Sequence, residues 1–279
     1  MTTRRDFIKS SLLAGVGASM VSNFAFATNN VNAAKKIGIQ LWTLKDEVKN
    51  DFKGTLKKIA EVGYKEFEFA GYHNNDPKDI KKFLDSIGVK APSAHIPTTA
   101  FEEDINKVIA DAKTIGHKYL TVPWMAPKTM DDYKKAADNF NKWGKAVKDA
   151  GMQFCYHNHD FEFKEIDGQV PYDYLLNNTD KNLVTYELDL YWVKRAGKDI
   201  LTYFEKYPGR FEMWHVKDMD KNNPAENTEV GTGQLDFKTI FSKAKQSGMK
   251  HFFVEHEGTF KLDKFESITK SYNYLKSIV

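Results

Sequence analysis

The sequence predicts an α/β protein of one domain, a closed (β/α)8 TIM barrel, and three observations carry that expectation. Short apolar runs of strand character alternate with helix-patterned runs eight times without a break. Most helix-patterned runs are closed by a glycine just before the next strand, as at Gly63, Gly88, Gly116 and Gly151. Once an N-terminal leader is set aside, about 250 residues remain, the usual length of such a barrel. An open doubly wound sheet is the runner-up. It loses ground because no Gly-x-Gly-x-x-Gly follows the first strand, which removes the usual dinucleotide site.

The elements follow in order. Ile37 to Trp42 alternates like a first strand, and Asp51 to Val62 places Phe52, Leu56, Ile59 and Val62 at helical spacing. Tyr64 to Gly71 is strand two. Pro77 opens a helix with Ile80, Phe83, Leu84 and Ile87 on one side. Val89 to Ile96 and Lys118 to Pro123 are strands three and four, followed by helices over Phe101 to Ile115 and Met130 to Ala150, respectively. Strand five runs from Met152 into His157, and Tyr172 to Leu176 is a short helix. Val184 to Leu190, Arg210 to Lys217 and His251 to Glu255 complete the strands. Helices over Ile200 to Tyr207, Phe237 to Gly248 and Leu262 to Ile278 complete the second layer. The polar connection from Asp218 to Gly233 is the longest and is a candidate lid.

Residues 1–27 read as a leader outside the barrel, which then spans residues 28–279. Thr3-Arg4-Arg5-Asp6-Phe7-Ile8-Lys9 resembles a twin-arginine export signal, and a modestly apolar run from Leu12 ends in Ala25-Phe26-Ala27, a small-x-small cleavage pattern. The expected location is therefore exported and periplasmic, with the twin-arginine export machinery as a partner in transit. The apolar run is interrupted by Gly and Ser and makes a poor membrane anchor. With 41 Lys+Arg against 38 Asp+Glu the net charge is only +3, and the basic residues are scattered among acids, so nucleic acid is not an expected partner. The single cysteine, Cys155, excludes an intramolecular disulfide and reads as a packed strand residue.

In a barrel of this kind the chemistry sits at the C-terminal ends of the strands. Polar residues stand there on several strands: Gln40, Glu68, His95, His157 with His159, Asp189, His215 with Lys217, and Glu255 with Glu257. Because alternate strand residues share a face, His157 and His159 point the same way, and so do His215 and Lys217. The most economical arrangement is one divalent metal held by His157, Asp189, His215 and Glu255, with His159 and Glu257 as alternates within their pairs. Two carboxylates and two imidazoles suit Mn, Co, Fe or Zn better than Mg. Glu187 shares a face with Asp189 one layer deeper and reads as a partner of a basic group. A base among His95, His159 and Glu68, with Lys217 as oxyanion partner or proton donor, would move protons. Gln40, Trp42, Trp192 and Glu257 are the expected substrate contacts, and Trp42, Trp124 and Trp192 are aromatic candidates to stack on a ligand ring.

The segments Gly38–Asp46 (GIQLWTLKD), Phe67–Gly71 (FEFAG), Tyr156–Phe163 (YHNHDFEF), Glu187–Trp192 (ELDLYW), Trp214–Asp218 (WHVKD), Gly231–Phe237 (GTGQLDF) and Val254–Glu257 (VEHE) resemble the xylose isomerase-like barrel superfamily. That superfamily includes sugar phosphate isomerases and epimerases, inosose dehydratases and ketose 3-epimerases. The resemblance implies a metal-dependent enzyme that abstracts a proton next to a sugar carbonyl, with a sugar or keto-sugar as substrate. Its epimerases hold their metal by Glu, Asp, His and Glu. Asp189, His215 and Glu255 match the last three, and His157 stands where the first glutamate would be. That departure removes one carboxylate base and brings a 3-keto-glycoside lyase or hydratase into view beside the isomerase or epimerase. A non-catalytic sugar-binding barrel or subunit is the reading of a different class, and a homo-oligomer is compatible with all of them.

Overall fold

The computed structural model describes residues 37–279; the expected leader over residues 1–27 lies outside the described residues. Eight parallel strands close into a barrel: β1 (Ile37–Gln40), β2 (Glu66–Ala70), β3 (Lys90–His95), β4 (Tyr119–Val122), β5 (Gln153–His157), β6 (Val184–Asp189), β7 (Met213–Val216) and β8 (His251–Val254). Each strand pairs with its sequence neighbours, and β8 returns to β1 through the register Ile37 with Phe252 and Ile39 with Val254. Helices cover the outside, so both faces of every strand are enclosed.

Strand parity sets the two sides of the wall. On β6, Val184, Tyr186 and Leu188 join the shell packed beneath the helices, while Thr185, Glu187 and Asp189 take the other face. On β5, β7 and β8 the outward apolar residues are Phe154 and Tyr156, Trp214 and Val216, and Phe252 and Val254. Inside the barrel, Tyr119, Cys155, Met213 and Phe253 form a separate apolar layer. Gly38 makes room for it, since a Cβ there would lie 2.5 Å from the Phe253 ring and 2.8 Å from the Phe252 carbonyl oxygen. Above that layer the interior turns polar, which is where the candidate site begins.

Several helices start on side-chain caps that the sequence places one residue ahead of them. Asp51 accepts from the Gly54 amide, Asp76 precedes Pro77 and caps Pro77–Ser86, and Thr129 forms a reciprocal capping box with Asp132 at the head of Met130–Asp149. Three expectations differ from the structure. The first strand stops at Gln40 and turns into a 3-10 segment, Leu41–Leu44, because the Gln40 side chain accepts the Trp42 amide and caps it. Strand six stops at Asp189, whose carboxylate caps an unpredicted helix, Leu190–Arg195. The seventh helix breaks into Phe237–Ser242 and Ala244–Ser247.

The polar connection after β7 is not a loose flap. Asp218–Met219 pairs antiparallel with Asn227–Thr228, and the buried Asp218 carboxylate accepts the amides of Met219, Gly231, Gly233 and Leu235. One carboxylate therefore gathers both ends of the segment, and a lid motion of the whole loop would break all four bonds. Among the described residues no helix is long and apolar enough to cross a membrane.

The interior layer generates a prediction. Gly38→Ala should lower the unfolding free energy by about 1–3 kcal/mol, because Phe253 has no free space to retreat into. A chemical denaturation midpoint equal to that of the parent would contradict this packing.

Candidate active site

The C-terminal ends of β5 to β8 bring the expected metal-ligating residues together. The register places Asp189 beside His215, His157 beside Glu187, and His215 beside Phe253, so that Glu255 follows just past the end of β8. Asp189, His215 and Glu255 offer ligand atoms that all lie within 4.8 Å of one another, and so do His95, His157, Glu187 and His215. His215 belongs to both groups. His215 Nδ1 is 3.0 Å from Glu255 Oε2 and 3.8 Å from Asp189 Oδ2, and His157 Nε2 is 4.0 Å from that same oxygen.

Each imidazole has a buried glutamate near its other nitrogen. His215 Nε2 lies 2.6 Å from Glu68 Oε2, and His157 Nδ1 lies 3.3 Å from Glu187 Oε2. At His215 this is the outer-shell pattern that fixes a ligating imidazole's tautomer and orientation, whereas His157 Nδ1 has no hydrogen-bond partner and Glu187 only lies near it. Glu68 is itself held by Gln40 Nε2 at 2.8 Å and by the Ser93 hydroxyl at 2.6 Å. Asp189 uses Oδ1 to accept the Trp192 amide, which leaves the buried Oδ2 without a hydrogen-bond partner. An orphaned carboxylate oxygen facing two imidazole nitrogens and a second carboxylate fits a divalent cation of the N/O-binding kind.

The cation that the chain itself supplies at this place is Lys217. Its ammonium is 2.7 Å from Glu255 Oε2, 3.4 Å from Asp189 Oδ2 and 2.8 Å from Glu257 Oε1. A metal shared by Asp189 and Glu255 would repel this ammonium, and Glu257 is the carboxylate that would keep it in the site.

These contacts set the ionisation of the group. Burial pushes the Lys217 pKa down, but Asp189, Glu255 and Glu257 outweigh it and hold it well above the ordinary value. Burial likewise disfavours the His215 imidazolium, yet Glu187, Glu255 and Glu68 together raise its pKa well above the usual one. Burial raises Glu187 and Glu255, and the opposing charges win: His215 chiefly at Glu187, Lys217 then His215 at Glu255, so both stay ionised. Asp189 is pushed up to about 6, by burial first and by Glu255, against the pull of Lys217 and His215. His157 is held neutral by burial and by the neighbouring His215. Burial and Lys217 lower His159 to about 3, so this imidazole is neutral across the physiological range.

A cavity of about 440 Å³ opens above the cluster, and its charged side is formed by His95, His157, His159, Lys217, Glu255 and Glu257. Three residues expected to touch substrate or move protons sit elsewhere. Gln40 is fully buried with both ends of its amide committed to Glu68 and the Trp42 amide, so it supports the site from below. Glu68 is equally buried beneath His95 and His215, and its place is that of a positioning group for the imidazoles. Trp192 does not line the cavity; it packs against His159 with ring centroids 5.2 Å apart and lies under the Lys217 ammonium. Trp42 reaches the rim.

Some participants carried no strong sequence signal. Asn158 lies between the two imidazoles of the His-x-His pair, and its Oδ1 accepts the Asp189 amide at 3.1 Å, which ties β5 to β6 at the site. Glu162, buried, accepts from the Tyr156 hydroxyl and from the His159 amide and so sets the backbone that carries His159. His95 was visible, but its 2.8 Å contact to Glu187 across the barrel was not.

Comparison with known proteins supports the barrel fold. Over 265 residues the chain is 23% identical to an inosose dehydratase of Lacticaseibacillus casei, covering 80% of this chain and 88% of that one. A solved sugar phosphate isomerase/epimerase from Parabacteroides distasonis superposes with a TM-score of 0.77 at 29% identity, covering 87% of this chain and 93% of that one. A structure of IOLI protein with a bound zinc atom superposes with a TM-score of 0.68 at 13% identity, over 88% of this chain and 98% of that one, a likeness of fold. The family model described as xylose isomerase-like TIM barrel matches residues 56–278, and the chain belongs to that family.

Proposed function

We propose that the protein is a divalent-metal-dependent enzyme acting on a sugar or keto-sugar, whose first step removes a proton from the carbon next to a carbonyl. The observation that carries this reading is the convergence of Asp189 Oδ2, Glu255 and His215 under one cavity, with His157 Nε2 4.0 Å from that Asp189 oxygen and Glu68 behind His215. His157, Asp189, His215 and Glu255 would hold the ion, and a protein of similar fold, IOLI, has been solved with a zinc atom. When bound, such an ion supplies Lewis acidity toward the carbonyl and the adjacent hydroxyl.

The chain's own residues then divide the work. Glu68 orients His215, and Glu187 lies near His157. His95, at the cavity wall and held by Glu187, is the base best placed to take a proton. His159, kept neutral, is suited to hydrogen-bond a substrate hydroxyl. Lys217, kept charged by three carboxylates, is a proton donor in a water-poor site, and Glu257, whose side chain is about a third exposed, links it to solvent.

A buried ammonium aimed into the cavity suits protonation of a leaving oxygen, and His157 in place of a carboxylate makes symmetrical two-base chemistry harder. We therefore favour elimination or hydration, as in a keto-glycoside lyase or a dehydratase, a reading that the inosose dehydratase relatives support. Isomerisation or epimerisation shares the first step, and the Parabacteroides structure's name favours it. A twin-arginine leader and a periplasmic location complete the proposal.

Three measurements check it. Mn or Zn added to metal-stripped protein should raise the melting temperature, and Asp189→Ala should abolish that rise; no shift with any divalent ion would defeat the metal assignment. Metal affinity should fall as pH drops, already around pH 7 where His215 carries a proton and more steeply below about 6, where Asp189 takes up another. At pH 7 binding should also release a proton into weakly buffered solution, because His215 has to give one up. Affinity that is flat from pH 5 to 8 with no proton release would contradict this ligand set. Incubation with keto-sugars in D2O should give deuterium incorporation, with carbon–oxygen cleavage seen by NMR if elimination holds. Lys217→Met should slow cleavage by about 100-fold or more while leaving exchange in place. Equal loss of exchange and cleavage would move Lys217 out of the proton-donor role.

A further inference from the structure

The cavity has a second half of opposite character. Over β1 to β4 its wall is made by Trp42, Ala70, Gly71, Pro97, Pro123 and Trp124. The two tryptophans are 43% and 54% exposed and are the large hydrophobic residues that stand out in water among the described residues. Exposed indole area costs hydration free energy and contributes nothing to the core, so two such side chains on one cavity wall point to a ligand.

Their placement suits a ring. Trp42 follows β1 and Trp124 follows β4, three places apart around the closed eight-strand order, so they stand across this half of the mouth from one another. Between them the wall is cut back: Gly71 has φ +81° and open space where a Cβ would point, flanked by Ala70 and Pro97. Lys45 lies over the Trp42 ring at 4.4 Å from its centroid and so occupies one of its two faces.

Charge narrows the ligand further. Lys217 is the one lysine or arginine lining the cavity among the described residues, and Asp189, Glu255 and Glu257 already hold it. A phosphate at the charged end would find no free cation among the lining residues and would face Glu255 and Glu257; Lys45, over the Trp42 ring, stands outside that lining.

We propose that Trp42 and Trp124 form a second-ring subsite, so that the substrate is an uncharged glycoside carrying a ring beyond the reacting sugar, in preference to a free monosaccharide or a sugar phosphate. This rests on the reading of the charged half as the sugar-reacting site. The apolar C–H face of a pyranose and the face of an aromatic aglycone both stack on indole. A cavity of about 440 Å³ falls within the range of pockets that enclose ligands of such size.

Equilibrium binding to the full chain, followed by calorimetry, tests the subsite without turnover. The probes are methyl glucoside, phenyl glucoside, cellobiose, glucose and glucose 6-phosphate, with the galacto-configured set alongside. At least one two-ring compound should bind about tenfold more tightly than its methyl glycoside. Cellobiose in the lead identifies a sugar as the second ring, and phenyl glucoside in the lead an aromatic aglycone. Trp42→Ala and Trp124→Ala should each remove most of that gain, with a smaller effect on the methyl glycoside, and the Phe variants should keep most of it. Equal affinity for one-ring and two-ring compounds, no binding of any of them, an unchanged gain in both Ala variants, or tighter binding of glucose 6-phosphate than of glucose would overturn the subsite. A ring preference in binding with no turnover of any sugar would sink the enzymatic reading and leave the subsite standing; turnover without a ring preference would do the reverse.

Discussion

The structure turns on a set of ionic groups almost wholly withdrawn from water. Glu68, Glu187, Asp189 and Glu255 are all buried at one end of the barrel, with His157, His215 and Lys217 among them. Taking a charge out of water costs several kcal/mol even after relaxation, so each carboxylate is tolerable only while its partners stay in place. The barrel supplies those partners by register. Asp189 stands beside His215, His157 beside Glu187, and Glu255 just above Val216 with Lys217 next to it. A layer of Tyr119, Cys155, Met213 and Phe253 closes the floor beneath them.

Such a cluster is a poor way to stabilise a fold, since well-packed apolar residues of similar volume often do as well or better. Its uneven satisfaction indicates what it is for. Glu68 is fully engaged by Gln40, Ser93 and His215, whereas Asp189 Oδ2 has no hydrogen-bond partner. The engaged groups form a rigid back wall. Asp189 Oδ2, with Glu255 and two imidazole nitrogens, faces the place where a cation would complete it, and Glu187 Oε1 and His157 Nδ1 are also left without a partner. Lys217 lies against the same two carboxylates, and that contact keeps its ammonium charged.

Much of this was legible in the sequence, for a physical reason. Strands enclosed on both faces still alternate, because the shell beneath the helices takes only apolar residues while the barrel mouth accepts polar ones. Val184, Tyr186 and Leu188 against Thr185, Glu187 and Asp189 write both faces into six residues. Helix caps such as Asp76-Pro77 and Thr129 are equally local and mark boundaries closely. What the sequence did not disclose depends on distances between strands. Gln40 reads as a mouth residue by position, but its amide is spent on Glu68 and on the turn at Trp42. Asp218 reads as part of a loose polar loop, yet it gathers four amides from residues up to Leu235. Periodicity says which face a side chain takes; it does not say which distant group is waiting there.

The most direct test of the account is a crystal structure of the protein grown with Mn, with anomalous scattering measured at the metal edge. The account predicts one peak bonded to Asp189, His215, Glu255 and His157, with Lys217 turned to Glu257. An empty site with the Lys217 ammonium still between Asp189 and Glu255, or a metal bound to the His95, His157 and Glu187 group in its place, would contradict it.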